Sequence, residues 1–363
     1  MKKSFSLFVF GILFCSLGLF GIWHLLTSNF QGDKIQGEVV KTFKELSNEG
    51  VEKVNLNENI IVAAGDVMLS RHVGTKIRKA GDVNLPFRKI KDILFSGDIT
   101  FVNLEAPFFD EGKPVTSGMI FKAEPETISG LTFAGIDIVS LANNHIKNKG
   151  EAGMLYTFDH LTKSGIKYVG AGRNDDEAHQ AVILERKGIK FAFLAYTASD
   201  GVKETSDLDA SNPDVAFLDI KQAEKDIKKA KENSDVVIVS MHAGAEYTLN
   251  PEKKQIDFAK SAIDFGASLV LGHHPHVVQK VEQYKGGYII YSLGNLVFDQ
   301  MWSEETREGV IVKCKFEGKN LKSLEFIPIK IEDYSKPRLA LDFEEEKILK
   351  RMGLESPIVD LKK

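Results

Sequence analysis

Hydrophobic and polar positions divide this 363-residue chain into three unlike stretches. The first is residues 5–26, FSLFVFGILFCSLGLFGIWHLL, an apolar run that follows Lys2 and Lys3 and meets no charged side chain until Asp33. At 1.5 Å per residue its roughly 22 residues reach about 33 Å, enough for a bilayer core of about 30 Å. A cleaved secretory signal has a shorter apolar core and a small-residue site after it. Neither is present, and Phe14 before Cys15 is too large for a lipoprotein cleavage site. Residues 1–28 are therefore expected to anchor the chain in the cell membrane. The lysines hold the N-terminus in the cytoplasm and leave the rest outside it. The polar residues 29–57 read as a stalk.

From Glu58 onward short apolar runs alternate with amphipathic ones. Five runs read as buried strands: NIIVAAGD (59–66), DITFVNLE (98–105), IDIVSLANNH (136–145), DVVIVSMHAG (235–244) and ASLVLGHHPH (267–276). Helical periodicity covers residues 125–134, 151–164, 220–233 and 252–265. This alternation predicts an α/β domain with largely parallel strands. GGYIIYSLGN (286–295), GVIVKCKFEG (309–318) and LKSLEFIPIK (321–330) are β-rich and extend that sheet or build a second. The domain is expected over residues 58–332, with a C-terminal helical tail over 333–363.

Each of the five strands ends in a side chain of metal-ligand type: Asp66, Glu105, Asn144 with His145, His242, and His274 with His276. Ligands of open α/β sheets sit outside the carboxyl ends of the strands, so these residues point to one shared site. Any one of them alone could cap a turn or be a satisfied core histidine. A two-metal hydrolytic centre needs this mixture of hard oxygen donors and imidazoles, with one carboxylate shared. It also needs a proton carrier that is not a ligand. Residues two apart in an extended segment face the same way, which predicts that His274 and His276 point together and His273 turns aside.

Composition adds exclusions. The net charge of −4 gives no basis for nucleic-acid binding. Cys15 lies in the apolar run and Cys314 far from it, so no disulfide is expected.

Eight segments in order, AAGDVML, VNLEAP, FKAEPE, SLANNH, YVGAGRN, MHAGAEY, GHHPHVVQ and YSLGNLVFD, resemble the CapA family of capsule and poly-γ-glutamate synthesis proteins. GD, NNH and GHHPH are similar to the wider calcineurin-like metallophosphatases. The resemblance implies a metallophosphatase-like sandwich of two mixed β-sheets flanked by helices. It implies two divalent ions, manganese, zinc or iron. Asp66 and His276 would hold the first, Asn144, His242 and His274 the second, and Glu105 would bridge them. His145 would be the general acid or base, and His273 would support the ligands. Two positions depart from the pattern. Met68 stands where metallophosphatases place a histidine ligand, which speaks against a standard phosphoesterase. Asn148 stands where relatives carry an aspartate, and it supplies neither charge nor proton.

Other residues are candidates by position. Glu246, near His242, is placed to carry a proton. Lys122 and Arg173 offer cations for a carboxylate, and Asn295 and Asp299 are placed on the cleft rim as substrate contacts. The resemblance implies a membrane-anchored protein that helps to make, export or anchor an anionic capsule polymer, poly-γ-glutamate foremost. Its partners would be that polymer or a glutamyl peptide, and membrane-embedded synthase and export proteins. As an enzyme it would hydrolyse or rearrange a glutamyl amide. The same residues also admit a non-catalytic assembly or export partner, or a metal-dependent epimerase of glutamyl residues.

Overall fold

The run ENIIVAAGDV is apolar at almost every position because its strand, Glu58–Val67, is covered on both faces. Ile61 and Ala63 join one buried cluster, and Val62 and Ala64 another. The computed structural model describes residues 58–198 and 212–361. The expected anchor and stalk, residues 1–28 and 29–57, lie outside the described residues. Among the described residues no helix is long and apolar enough to cross a membrane.

Glu58–Val67 lies inside the first of two mixed sheets. On one side it pairs in parallel with Ile99–Leu104, followed by Ile138–Ser140 and Lys167–Val169. On the other it meets the antiparallel strands Glu308–Glu317, Asn320–Glu332 and Lys336–Leu339. The second sheet runs in the order Val281–Tyr284, Gly287–Ile290, Leu269–His273, Val236–His242, Ile189–Thr197 and Val182–Arg186. Its four middle strands are parallel. The last two strands were not among the expected ones. They form a hairpin whose inner partner carries Phe191 and Phe193 into the core.

Three apolar layers hold the fold together. Between the sheets, Ile61, Phe101 and Val312 meet Phe193, Ile238 and Leu271, with the Phe101 and Phe193 rings stacked at 5.7 Å. Outside the first sheet, helices Arg71–Ala80 and Gly150–Lys163 supply Val73, Ile77, Met154 and Phe158. Outside the second, Ile220–Asn233 and Lys253–Phe265 supply Ile227 and Phe258. Truncating a fully buried ring such as Phe158 to alanine costs about 3–5 kcal/mol. Residues beyond Glu332 add two strands, Lys336–Leu339 and Ile358–Asp360, on either side of the helix Asp342–Arg351. Ile348 and Met352 close onto the layer between the sheets.

Residues 287–297 cross from one sheet to the other: Gly287–Ile290 belongs to the second and Asn295–Val297 pairs with Glu58–Val67 in the first. The crossing fixes two glycines. A Cβ at Gly65 would stand 1.9 Å from the Gly294 carbonyl oxygen, and one at Gly272 1.9 Å from that of Tyr291. The glycine before Asp66 and the one before His273 are thus set by close backbone approach.

Candidate metal centre

Asp66 is the penultimate residue of Glu58–Val67, and Glu105 directly follows Ile99–Leu104. Both carboxylates are fully buried. The other sheet contributes His242 at the end of Val236–His242, and His274 and His276 just beyond Leu269–His273. Single ligand atoms of Glu105, His242 and His274 all lie within 4.8 Å of one another, and so do those of Asp66, Glu105 and His276. Glu105 is common to both groups. Asn144 joins the first, its Oδ1 lying 3.0 Å from His242 Nε2.

The donor chemistry fits a cation. His242 Nε2 has His274 Nδ1 at 3.0 Å and a Glu105 oxygen at 3.2 Å as well as Asn144, more than one ring nitrogen can pair with. Both Glu105 oxygens are buried without a hydrogen bond, the His242 contact being close but poorly aligned. A buried, unpaired carboxylate is costly by several kcal/mol. Burial, then Asp66 and Glu246, push the Glu105 carboxyl well above its ordinary range. Burial and the His274 ring push the His242 imidazole well below its own. For Asp66 burial acts upward, but the His273 and His276 rings beside it prevail and hold it low. A divalent ion among these groups would supply the positive charge that the Glu105 carboxylate lacks and would take lone pairs from neutral imidazoles.

His274 and His276 do come together, with ring centroids 6.1 Å apart, but not for the expected reason. Their φ angles are 93° and 58° on either side of Pro275, so residues 274–276 form a bend and not an extended segment. Arg71 and Tyr247 share this strain at φ 47° and 64°. Positive φ at bulky residues costs on the order of 1–3 kcal/mol each and clusters at functional sites. His273, still on the strand, is wholly buried between the sheets, its Nδ1 3.2 Å from Asp66 Oδ1.

His145 lies beside the ligands. Its ring stacks on Phe121 at 3.8 Å, and its Nδ1 sits 3.0 Å from Asn148 Oδ1. Burial lowers its pKa to about 4, so it is neutral near pH 7. Glu246 is half-buried, 4.0 Å from His276 Nε2. Met68 turns its sulfur to the Ser70 N–H at 3.1 Å and offers no nitrogen ligand.

The remaining candidates divide. Asn295 belongs to the centre: its Oδ1 accepts from His276 Nδ1 at 2.9 Å. Asp299 is buried, and its oxygens are taken by Arg71 and His72. The Lys122 ammonium donates to the Glu111 and Gly112 carbonyls at 2.8 and 2.9 Å. Arg173 pairs with Asp159 on the surface, and among the described contacts none joins it to the cluster. Two further residues that were not among the expected ones carry the site. Asn103 donates to Asp66 Oδ1 at 2.8 Å and stands 3.3 Å from His242 Nδ1, tying the two sheets. Arg71 places a buried cation beside them.

The family model described as bacterial capsule synthesis protein PGA_cap matches residues 60–300, more than half of the chain. The chain belongs to this family. As a PGA_cap member it is 31% identical over 316 residues to the capsule biosynthesis protein CapA of Bacillus anthracis, covering 84% of this chain and 76% of that protein. It is 28% identical over 295 residues to the PGA biosynthesis protein CapA of Bacillus subtilis, covering 79% and 75%. Among solved structures it is similar to the calcineurin-like phosphoesterase YfkN of Bacillus subtilis at 13% identity and a TM-score of 0.40, covering 82% of this chain and 96% of that one.

Proposed function

We propose that this PGA_cap member acts outside the cell membrane in the synthesis of an anionic capsule polymer, poly-γ-glutamate, through a two-ion centre that attacks or rearranges a glutamyl amide. The observation that carries this reading is Glu105: buried, without a hydrogen bond, and common to both groups of ligand atoms. Asp66, Glu105 and His276 would hold one ion, and Glu105, Asn144, His242 and His274 the other. The polymer comes from the relatives, which are named for capsule and PGA biosynthesis. The apolar run after Lys2 and Lys3 supports the anchor.

Ions held there would polarise an amide carbonyl oxygen and ease loss of a proton from water. His145 receives that proton at Nε2, because its Nδ1 is turned to Asn148. Its neutral state near pH 7 makes it a base first and an acid only once loaded. The missing nitrogen ligand at Met68 leaves the Asp66 side more open for the substrate carbonyl.

Metal analysis of the detergent-solubilised full chain tests the centre: about two ions per chain are expected, and Glu105→Gln is expected to lose both. Polymer made at the normal rate by a His145→Ala chain of normal abundance would sink the catalytic reading.

A further inference from the structure

Arg71 opens the helix Arg71–Ala80 in the left-handed region, at φ 47°. A bulky residue stays there only where its surroundings hold it. Its guanidinium carbon lies 4.6 Å from the Phe121 ring centroid and 5.6 Å from that of Phe298. Nη1 donates to the Gly118 carbonyl at 3.1 Å and Nη2 to the Asp299 carboxylate. That uses two of the five N–H groups a guanidinium carries. Its charge acts on both Glu105 and Tyr247.

Arg71 also lines a cavity of about 380 Å³ with His72, Ser117, Gly118, Trp302 and Tyr334. An aromatic wall joins this cavity to the metal centre. Trp302 meets Tyr247 edge-on at 5.6 Å, and Tyr247 stacks on His276 at 6.1 Å. Both oxygens of Asp299 are already engaged. Its Oδ1 is taken by Arg71, and its Oδ2 by the His72 backbone N–H and Nδ1 at 3.1 Å each. His72 is half-exposed and stacks on Tyr334 at 4.9 Å. The lining therefore keeps donors on Arg71 and Ser117 while its one carboxylate is engaged, the polarity that suits an anion.

We propose that this cavity is a carboxylate subsite: Arg71 and the Ser117 hydroxyl hold one carboxylate of a polyanionic chain between the His72 and Trp302 rings, so that a neighbouring amide reaches Glu105 and His276. This rests on the reading of the centre as acting on a polycarboxylate.

The test is calorimetric titration of the full chain with a γ-linked glutamyl pentamer bearing free α-carboxylates, and with the same pentamer as α-carboxamides. The carboxylate form is expected to bind at least tenfold more tightly. His72→Gln and Trp302→Ala, both at exposed side chains, are each expected to shrink that ratio threefold or more. Equal affinity for the two pentamers, or an unchanged ratio in both variants, overturns the subsite. The two readings fail separately. A metal-loaded chain indifferent to the carboxylates loses the subsite and keeps the centre. A chain that holds no metal yet prefers the carboxylates keeps the subsite.

Discussion

Asn148 Oδ1 lies 3.0 Å from His145 Nδ1, and the same oxygen receives the Phe121 N–H at 2.6 Å. A backbone N–H can only donate, so the amide atom there is the oxygen and His145 carries its proton on Nδ1. Nε2 is left with its lone pair. An uncharged amide thus fixes the tautomer, and the absence of an aspartate at position 148 does not cost the ring its orientation. His145→Ala is expected to lower polymer formation by about 10²–10⁴-fold, the usual span of general acid–base catalysis. Asn148→Ala is expected to lower it less, by about tenfold. Metal content stays unchanged in both. Polymer yield at matched protein abundance, with metal analysis alongside, checks all three statements.

Glu105→Gln is expected to invert the order of two melting curves. A carboxyl whose folded pKa is raised weakens the fold as pH climbs past its ordinary value of 4.5. In chelator at about pH 8 the glutamine variant should therefore unfold at a higher temperature than the parent. With Mn²⁺ at a hundred times its Kd the parent gains about 2.7 kcal/mol for each ion held, and the variant gains little. Scanning calorimetry in both buffers would show the crossing; a variant that gains as much from the metal as its parent would contradict it.

Gly272→Ala is expected to strip metal as well as stability. The added methyl meets the Tyr291 carbonyl at 1.9 Å, and neither backbone can yield without moving His273 and His274. The cost should sit at the upper end of overpacking, about 3 kcal/mol. Full metal content in a folded alanine variant would show that the crossing segment does not position the ligands.

A pH-dependent contribution to stability lies outside the centre. His179 Nδ1 is 2.9 Å from Asp226 Oδ2, which also accepts the Tyr196 hydroxyl at 3.0 Å. Burial alone would lower this imidazole's pKa, but Asp226, with Asp175 and Asp214, outweighs burial and raises it above 6.5. Stability from the pair is whole below about pH 6.5 and fades as pH rises through the higher folded value. His179→Gln should thus cost more at about pH 5.5 than at about pH 9. Chemical denaturation at both pH values decides it, and equal losses would count against a charged pair.

The strand-end residues were legible in the sequence because each sits on its own apolar run, and runs of that kind announce themselves locally. Asp66, Glu105, His242, His274 and His276 all reach the cluster. The turn at residues 274–276 was not legible, since left-handed φ at histidine is imposed by the surroundings and not by local preference. Arg71 was missed for a related reason: its partner Asp299 is 228 residues away and shares no motif with it. Lys122 and Arg173 stood in promising segments, but the fold turns one to loop carbonyls and the other to Asp159. The strands Val182–Arg186 and Ile189–Thr197 carry no ligand and so lacked the signal that marked the others.

Both ligand groups draw on two sheets, and each needs a histidine from the turn at 274–276 as well as Glu105. A chain that has emerged only as far as Gly272 holds every carboxylate of the centre and cannot complete either group. Ion capture would therefore wait on synthesis. A bound ion would record that the chain had been made at least as far as His276 and that the ends of Glu58–Val67 and Leu269–His273 had been brought together.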